Sequence, residues 1–197
     1  MHRSLTALVA GLAAVCLACG AAHAQTWPSK RITVVVPSAP GGLSDPVVRL
    51  LGEAMQRSWG QAVVMEHRAG AGGIVGTQYV IQAPPDGHTL LMGNIGPLAV
   101  TPSLNPNVPY NVQRDLAPVS LVVTFGNVLV VNPTLPLNSV RDVIQAAKAR
   151  PGSLNFASSG NGQSHHLSGE LFKSMTGIDI VHVPYKGSGP ALTDVIS

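Results

Sequence analysis

The chain has 197 residues, of which 45% are hydrophobic and only 11% are charged, so it can bury the core of one ordinary domain or of two small ones. Its formal net charge of +3 is small and no basic cluster is visible, which excludes a nucleic-acid surface built on a basic patch. The 21 glycines and 16 prolines indicate many tight turns.

The first 24 residues have the pattern of a secretory signal peptide. Arg3 precedes an almost wholly apolar run over residues 5–17, and residues 22–24 form an A-x-A cleavage pattern, so we predict cleavage after Ala24. The apolar run is too short for a membrane span. Both cysteines lie in this leader, so the secreted chain would contain no disulfide, catalytic thiol or thiolate metal site.

Strands and helices alternate in the first half of the secreted chain. Residues 31–36 form a continuous apolar, β-branched run, which is typical of a central strand in a parallel sheet. Asp45 is the predicted N-cap of the helix that follows, with Pro46 at its first position. The predicted elements are strands over residues 31–36, 62–66 and 88–92, and helices over residues 46–59 and up to residue 83. This order predicts a parallel α/β layer with right-handed connections.

The second half predicts a second lobe. Its expected elements are strands over residues 117–123, 127–131, 154–157 and 178–183, and helices over residues 139–149, 165–175 and 190–196. We expect a first lobe over residues 25–104, a crossing or hinge region over residues 105–126, and a second lobe over residues 127–197. The last helix reaches Ser197 without a C-cap signal, which suggests that the natural fold continues.

Two glycine turns each follow a strand and open a helix. The first turn covers residues 38–45 and the second turn covers residues 158–165. Backbone N–H groups at a helix start attract anions, so two lobes that face each other could hold a ligand with two anionic groups between these turns. Taken alone, the first turn is more simply explained as an ordinary connection between a strand and a helix.

Other motifs fit poorly with catalysis or cofactor binding. Residues 70–76 look like a dinucleotide fingerprint, but the third glycine comes one residue late and no ribose-binding acid follows. Tight helix packing is the better interpretation. His165 and His166 are adjacent on a predicted helix and so point roughly 100° apart, which disfavours a shared metal ion. No P-loop and no G-x-S-x-G motif occurs.

A set of short motifs, in order, resembles one receptor family. They cover residues 27–28, 32–45, 69–73, 85–91, 110–119, 151–155, 158–162, 165–167 and 182–187. The chain is similar over essentially its whole secreted length to the Bug family, the extracytoplasmic solute receptors of tripartite tricarboxylate transporters. Each motif alone is weak, but together they are specific.

The resemblance implies an α/β, two-lobed periplasmic-binding-protein fold of type II, the Venus-flytrap architecture. Such a protein lies in the periplasm, closes on a small organic carboxylate and delivers it to an inner-membrane permease. We expect a monomer that needs no cofactor or metal, binds no nucleic acid and catalyses no reaction. Family chains continue past residue 197 and return to the first lobe, so the fold is expected to be incomplete here.

The resemblance also carries ligand-binding roles to residues of this chain. In the first lobe they are Ser38, Gly41, Gly42, Leu43, Asp45, Asn94 and Gly96. In the second lobe they are Ser159, Gly162, Gln163, Ser164 and His165, with Tyr185 and Lys186 nearby. Position 38 is often bulkier or aromatic in that family, whereas this chain has serine.

Two other functions compete with the receptor. A receptor fragment without binding activity would unfold non-cooperatively and would not respond to organic acids. A small secreted hydrolase using Ser164 and His165 would turn over an ester or amide, although no nucleophile motif supports it.

Overall fold

The computed structural model describes residues 26–197, so the predicted signal peptide and its cleavage site lie outside the described residues. In this described part the strands are β1 (Ile32–Val36), β2 (Val63–His67), β3 (Thr89–Leu91), β4 (Asn155–Ser158) and β5 (Val181–Pro184). The α-helices of the same residues are α1 (Ser44–Trp59), α2 (Ile74–Gln82), α3 (Thr101–Leu104), α4 (Val112–Asp115), α5 (Val140–Ala149), α6 (Ser164–Thr176) and α7 (Ser188–Ile196). Within residues 26–197, no helix is both long enough and apolar enough to span a membrane.

The first sheet has the order β2-β1-β3, and both pairings are parallel. Ile32, Val35 and Val36 of β1 are completely buried, so the prediction of a central parallel strand is confirmed. Val48 of α1 packs on one face of β1 and closes the core together with Met65 and other partly buried side chains. Burial on both faces explains why the β1 sequence is apolar without alternation.

The second sheet consists of β4 and β5, which are also parallel. Its core centres on Ala147 of α5, with Ile178 and Ile180 ahead of β5 and Phe156 on β4. Each sheet therefore has its own hydrophobic core, and the α/β class predicted for both halves is confirmed.

The start of α1 differs from the prediction. The helix begins at Ser44, and Leu43 occupies the N-cap position without a capping side-chain bond. Asp45 lies inside the first helical turn of α1, where its Oδ2 accepts a 2.8 Å hydrogen bond from the Gly41 N–H. The N-cap role predicted for Asp45 is therefore wrong, because the loop folds back far enough for the carboxylate to reach an amide before the helix.

Helix α5 begins at Val140, within the helix predicted over residues 139–149, and Ser139 is its N-cap. The Ser139 Oγ accepts a 3.2 Å hydrogen bond from the Asp142 N–H. We expect Ser139→Ala to lower the free energy of unfolding by about 1 kcal/mol, because this amide loses its partner. Urea unfolding measures the change. Ser139→Asp keeps an acceptor and is the control; an equal loss in both variants would contradict the capping role.

Residues 117–131 form no strand with any described residue, so the two strands predicted over residues 117–123 and 127–131 are wrong. Their apolar side chains are exposed, with Val119 at 84%, Leu121 at 80% and Val128 at 82%. A continuous apolar run is typical of a strand buried on both faces. Here no neighbouring strand covers either face within residues 26–197.

Candidate functional site

Loops at the carboxyl ends of the strands bring the two sheets together. The loops cover residues 37–43, 70–73, 94–97, 159–163 and 185–189, and we call the region where they meet the seam. Ala39 N–H donates a 2.8 Å hydrogen bond to the Lys186 carbonyl. Gln163 Nε2 donates another, also 2.8 Å, to the Gly72 carbonyl, 91 residues away in sequence. Ligands of parallel α/β sheets bind outside the carboxyl ends of the strands, so the seam is the candidate site.

Glycines let the backbones of the seam approach one another. A Cβ added at Gly72, where φ is +63°, would lie 2.6 Å from the Asn161 carbonyl oxygen. A Cβ at Gly41 would lie 3.5 Å from the Cα of Gly189. A Cβ at Gly160 would lie 3.6 Å from the Cα of Gly72. A side chain at Gly72 would hold the two sheets apart, whereas a Cβ at Gly41 or Gly160 would make an ordinary van der Waals contact with these Cα atoms.

The two glycine turns make their contacts across the seam with other loops. The first turn packs on the start of α7, where Gly42 lies against Ser188. The second turn packs on the loops after β2 and β3, where Gln163 lies against Gly72 and Gly96. We expected the two turns to face each other; each instead contacts other loops of the opposite sheet, and five loops in all meet at the seam.

An internal carboxylate occupies part of the first turn. Besides accepting from Gly41, Asp45 Oδ2 lies 3.5 Å from His67 Nε2, and its side chain is 14% exposed. His67 Nδ1 lies 2.9 Å from the Ser38 carbonyl. A carbonyl only accepts, so Nδ1 of His67 carries a proton. The first turn therefore offers fewer free amides than its sequence predicts.

Gln163 joins the second turn to the first sheet. Its side chain is buried, and its amide touches Gly96 as well as the Gly72 carbonyl. Asn94 Oδ1 accepts a 3.1 Å hydrogen bond from the Gly96 N–H, which fixes the loop that receives Gln163. Tyr110 Oη donates to the Pro97 carbonyl at 2.8 Å and supports the same loop from behind. The predicted residues Asn94, Gly96 and Gln163 therefore lie together at one point of the seam.

Ser164 and His165 do not form a catalytic pair. Ser164 Oγ donates to Asn127 Oδ1 at 3.3 Å, whereas His165 Nδ1 lies 2.8 Å from Ser159 Oγ. Burial lowers the pKa of His165, which favours its neutral form. Neither side chain has an orienting acid among its hydrogen-bond partners within residues 26–197. Ser164 and His165 therefore lack the geometry of a nucleophile and its base.

The remaining predicted residues are less enclosed. Leu43 is 47% exposed, and the Lys186 side chain is exposed while its carbonyl binds Ala39. Tyr185 Oη donates to the Asp194 carboxylate, and this bond raises the pKa of the Tyr185 hydroxyl. Tyr185 N–H donates to the Ser158 carbonyl at 3.0 Å and anchors the loop after β5 beside the second turn.

Several seam residues could not be identified from the sequence alone. Gly72 belongs to a motif that indicates helix packing, and Gly76 does pack tightly, since a Cβ there would lie 2.8 Å from the Cα of Pro37. The same motif also reaches the second sheet through Gly72. His67 is isolated in the sequence and His166 stands next to another histidine. Only the fold shows that His67 hydrogen-bonds the first turn and His166 the second turn.

Two cavities lie outside the seam. One, of about 460 Å³, is lined by residues between Leu98 and Gln113, and another, of about 260 Å³, lies beside Trp27 and His88. Neither is lined by a predicted ligand-binding residue. Among residues 26–197, no group of three or more His, Cys, Asp or Glu side chains could hold a metal ion.

Sequence comparison places the chain among transport receptors. Residues 47–197 match the family described as tripartite tricarboxylate transporter family receptor. The chain is 47% identical over 174 residues to Protein BugT of Bordetella pertussis, covering 88% of this chain and 53% of that protein. It is 42% identical over 173 residues to a UPF0065 protein of Pseudomonas sp. strain P51, covering 88% of this chain and 51% of that protein. The chain thus spans about half the length of the curated relatives it matches.

Solved structures give the same result for the fold. The Rhodopseudomonas palustris protein Rpa4515, solved with adipate, superposes with a TM-score of 0.83 at 38% identity, covering 86% of this chain and 56% of that one. MatC of the same organism, solved with bound malate, gives 0.79 at 32% identity, covering 86% and 57%. The periplasmic binding protein BugD gives 0.75 at 32% identity, with 86% and 56% covered. These matches confirm the predicted periplasmic-binding-protein fold, and the family is one of receptors, not enzymes.

Proposed function

The chain belongs to the tripartite tricarboxylate transporter receptor family, and we propose that the whole protein captures a small organic carboxylate at the seam. One observation carries this proposal: α1, α2, α6 and α7 all begin at seam loops. The positive ends of four helix dipoles are therefore directed toward the same region. Anions bind readily to such backbone amides without an arginine.

The charges of the seam support an anionic ligand. Lys186 is the one cationic side chain in the five seam loops, and none of these loops contains an acidic residue. Asp45 lies just outside them and already holds the Gly41 amide. We therefore propose that the ligand carboxylate is bound mainly by the second turn, at the start of α6, with Ser159 and Ser164 beside it. Gly162, whose N–H donates to His166, would shape the turn around the ligand.

We propose dicarboxylates as the ligand class. Two structurally similar proteins are described with adipate and with malate, both of which are dicarboxylic acids. The second carboxylate would lie against the first turn or the start of α7, where Lys186 supplies a positive charge. Selectivity between acids would then depend on the distance between these two groups of amides.

The cellular setting follows from the family and the leader. We propose export after cleavage at Ala24, a periplasmic monomer, and transfer of the ligand to an inner-membrane permease of the tripartite tricarboxylate type. The proposed lobes keep the predicted boundaries, with residues 25–104 and 127–197 joined through residues 105–126. The two separate hydrophobic cores support this division.

Ligand-induced stabilisation tests the proposal directly. The purified secreted chain is unfolded thermally alone and with mono-, di- and tricarboxylates. A dicarboxylate at 100 times its Kd should add about 2.7 kcal/mol to the free energy of unfolding. A broad, non-cooperative transition that no acid shifts would contradict the proposal for this chain and favour a fragment without binding activity. Product formation from esters would instead support the hydrolase.

A further inference from the structure

Three aromatic rings form a stack beneath the second turn. The His166 and His182 rings lie 4.0 Å apart and are almost parallel, and the Phe156 ring is stacked 4.9 Å from that of His182. Both histidines also bond the turn: Gly162 N–H donates to His166 Nδ1 at 3.1 Å, and His182 Nε2 lies 2.7 Å from Ser158 Oγ. The stack therefore connects the sheet of β4 and β5 with the loop that opens α6.

The Gly162 bond determines the protonation of His166. A backbone N–H can only donate, so Nδ1 of His166 must present its lone pair, and the ring is neutral with its proton on Nε2. A proton added to Nδ1 would set two donors against each other and break this bond. His182 is different, because the Ser158 hydroxyl can either donate or accept. His166 is thus the histidine whose charge decides the turn geometry.

We infer that His166 is a positioning residue that holds Gly162, and with it the second turn, in its ligand-binding conformation only while its imidazole is neutral. Acidification then loosens the turn and weakens carboxylate capture. The capture part rests on the proposed function, whereas the bond between His166 and Gly162 does not.

The surroundings of the stack add to this effect. His182 on β5 faces His166 directly, Glu170 and Lys173 on α6 lie close enough to influence His182, and His165 is adjacent on the same helix. The strand β4 contributes no titratable side chain. Burial lowers the pKa of His182, and a charged His166 would lower that pKa further. His182 therefore binds fewer protons in the folded chain than in the unfolded chain. The stability that this difference affects is fully present above the ordinary histidine pKa near 6.5 and decreases as the pH falls below that value.

Two substitutions of His166 separate the hydrogen bond from the ring. His166→Asn places Oδ1 as many bonds from the backbone as Nδ1, so it keeps an acceptor that does not titrate. His166→Phe keeps a ring for stacking and removes the acceptor. Histidines change charge between about pH 5 and pH 8, so each protein is studied at pH 8.0 and pH 5.5.

Hydrogen exchange of the Gly162 amide, followed by NMR without ligand, is the first measurement. We expect protection at pH 8.0 and its loss at pH 5.5 in the unsubstituted chain, once intrinsic exchange is corrected for. His166→Asn should stay protected at both values, and His166→Phe at neither. Protection of Gly162 at pH 5.5 in the unsubstituted chain would overturn the inference.

Calorimetric binding of adipate or malate is the second measurement. Relative to His166→Asn, the unsubstituted chain should lose about fivefold in affinity between pH 8.0 and pH 5.5, the value of one hydrogen bond. His166→Phe should already be weaker at pH 8.0. An equal pH response in the unsubstituted chain and His166→Asn would overturn the inference while leaving the receptor intact. If no acid binds at any pH, the proposed function fails and the exchange data still decide the role of His166.

Discussion

Replacing Gly72 by alanine should weaken carboxylate binding at least tenfold, the equivalent of about 1.4 kcal/mol. The added Cβ would lie 2.6 Å from the Asn161 carbonyl oxygen, a distance that real Cβ atoms essentially never show. The backbone fixes the position of the Cβ, and the Asn161 carbonyl is itself part of the backbone. Neither atom can therefore move aside by a change of rotamer. The two sheets must separate, and this displaces the second turn from the first sheet.

Gly177→Ala is the matched control for this experiment. Gly177 follows α6 with φ at +64°, close to the +63° of Gly72, but a Cβ there would meet nothing within 4 Å. Both substitutions should therefore cost similar stability through backbone strain, about 1 kcal/mol. Only Gly72→Ala should also lose affinity, as measured by calorimetry with adipate or malate. Equal affinities of the two variants would show that the seam is not the binding site.

The sequence predicted the elements of both sheets well because their signals are local. The β-branched run of β1 and the glycine after α1 each act within a few residues. The structure has a parallel strand where it was predicted, and α1 ends at Trp59, the predicted last residue of that helix, followed by a left-handed Gly60. The glycine turns were located for the same reason. Periodicity and capping are properties of short segments, so no knowledge of the other sheet was needed.

The arrangement of the seam depends on contacts between residues far apart in sequence. Gln163 meets Gly72 across 91 residues, and His67 meets Ser38 across 29. Nothing in either local pattern specifies its partner. The role of Asp45 was mistaken for a related reason, since the path of the loop decides whether a carboxylate caps a helix or reaches back to Gly41. The sequence therefore located the turns but could not show which loops they would contact.

Residues 117–131 present the opposite problem, because their local sequence predicts strands but no described strand pairs with them. The run is apolar and rich in β-branched residues, and residues 116–140 contain no charged side chain. A strand becomes regular only when a neighbour accepts and donates its hydrogen bonds. Within residues 26–197 no neighbour does so, and exposed unpaired strands of this kind tend to associate.

Replacing Ile32 by alanine should lower the free energy of unfolding by about 2–5 kcal/mol. Ile32 is fully buried on the central strand and belongs to the core of the first sheet, so the truncation leaves a cavity between β1 and α1. Urea unfolding at low protein concentration measures the loss. An unfolding free energy changed by less than about 1 kcal/mol would contradict the placement of Ile32 in this core.

Leu121→Ala is the comparison that makes the Ile32 result informative. Leucine and isoleucine have the same number of atoms, but Leu121 is 80% exposed, so its truncation should change stability by no more than about 0.5 kcal/mol. The two variants differ in burial and hardly in chemistry. A Leu121 loss as large as that of Ile32 would mean that residues 117–131 are covered in solution. If that loss grew with protein concentration, a second copy would provide the cover, because only association makes stability depend on concentration.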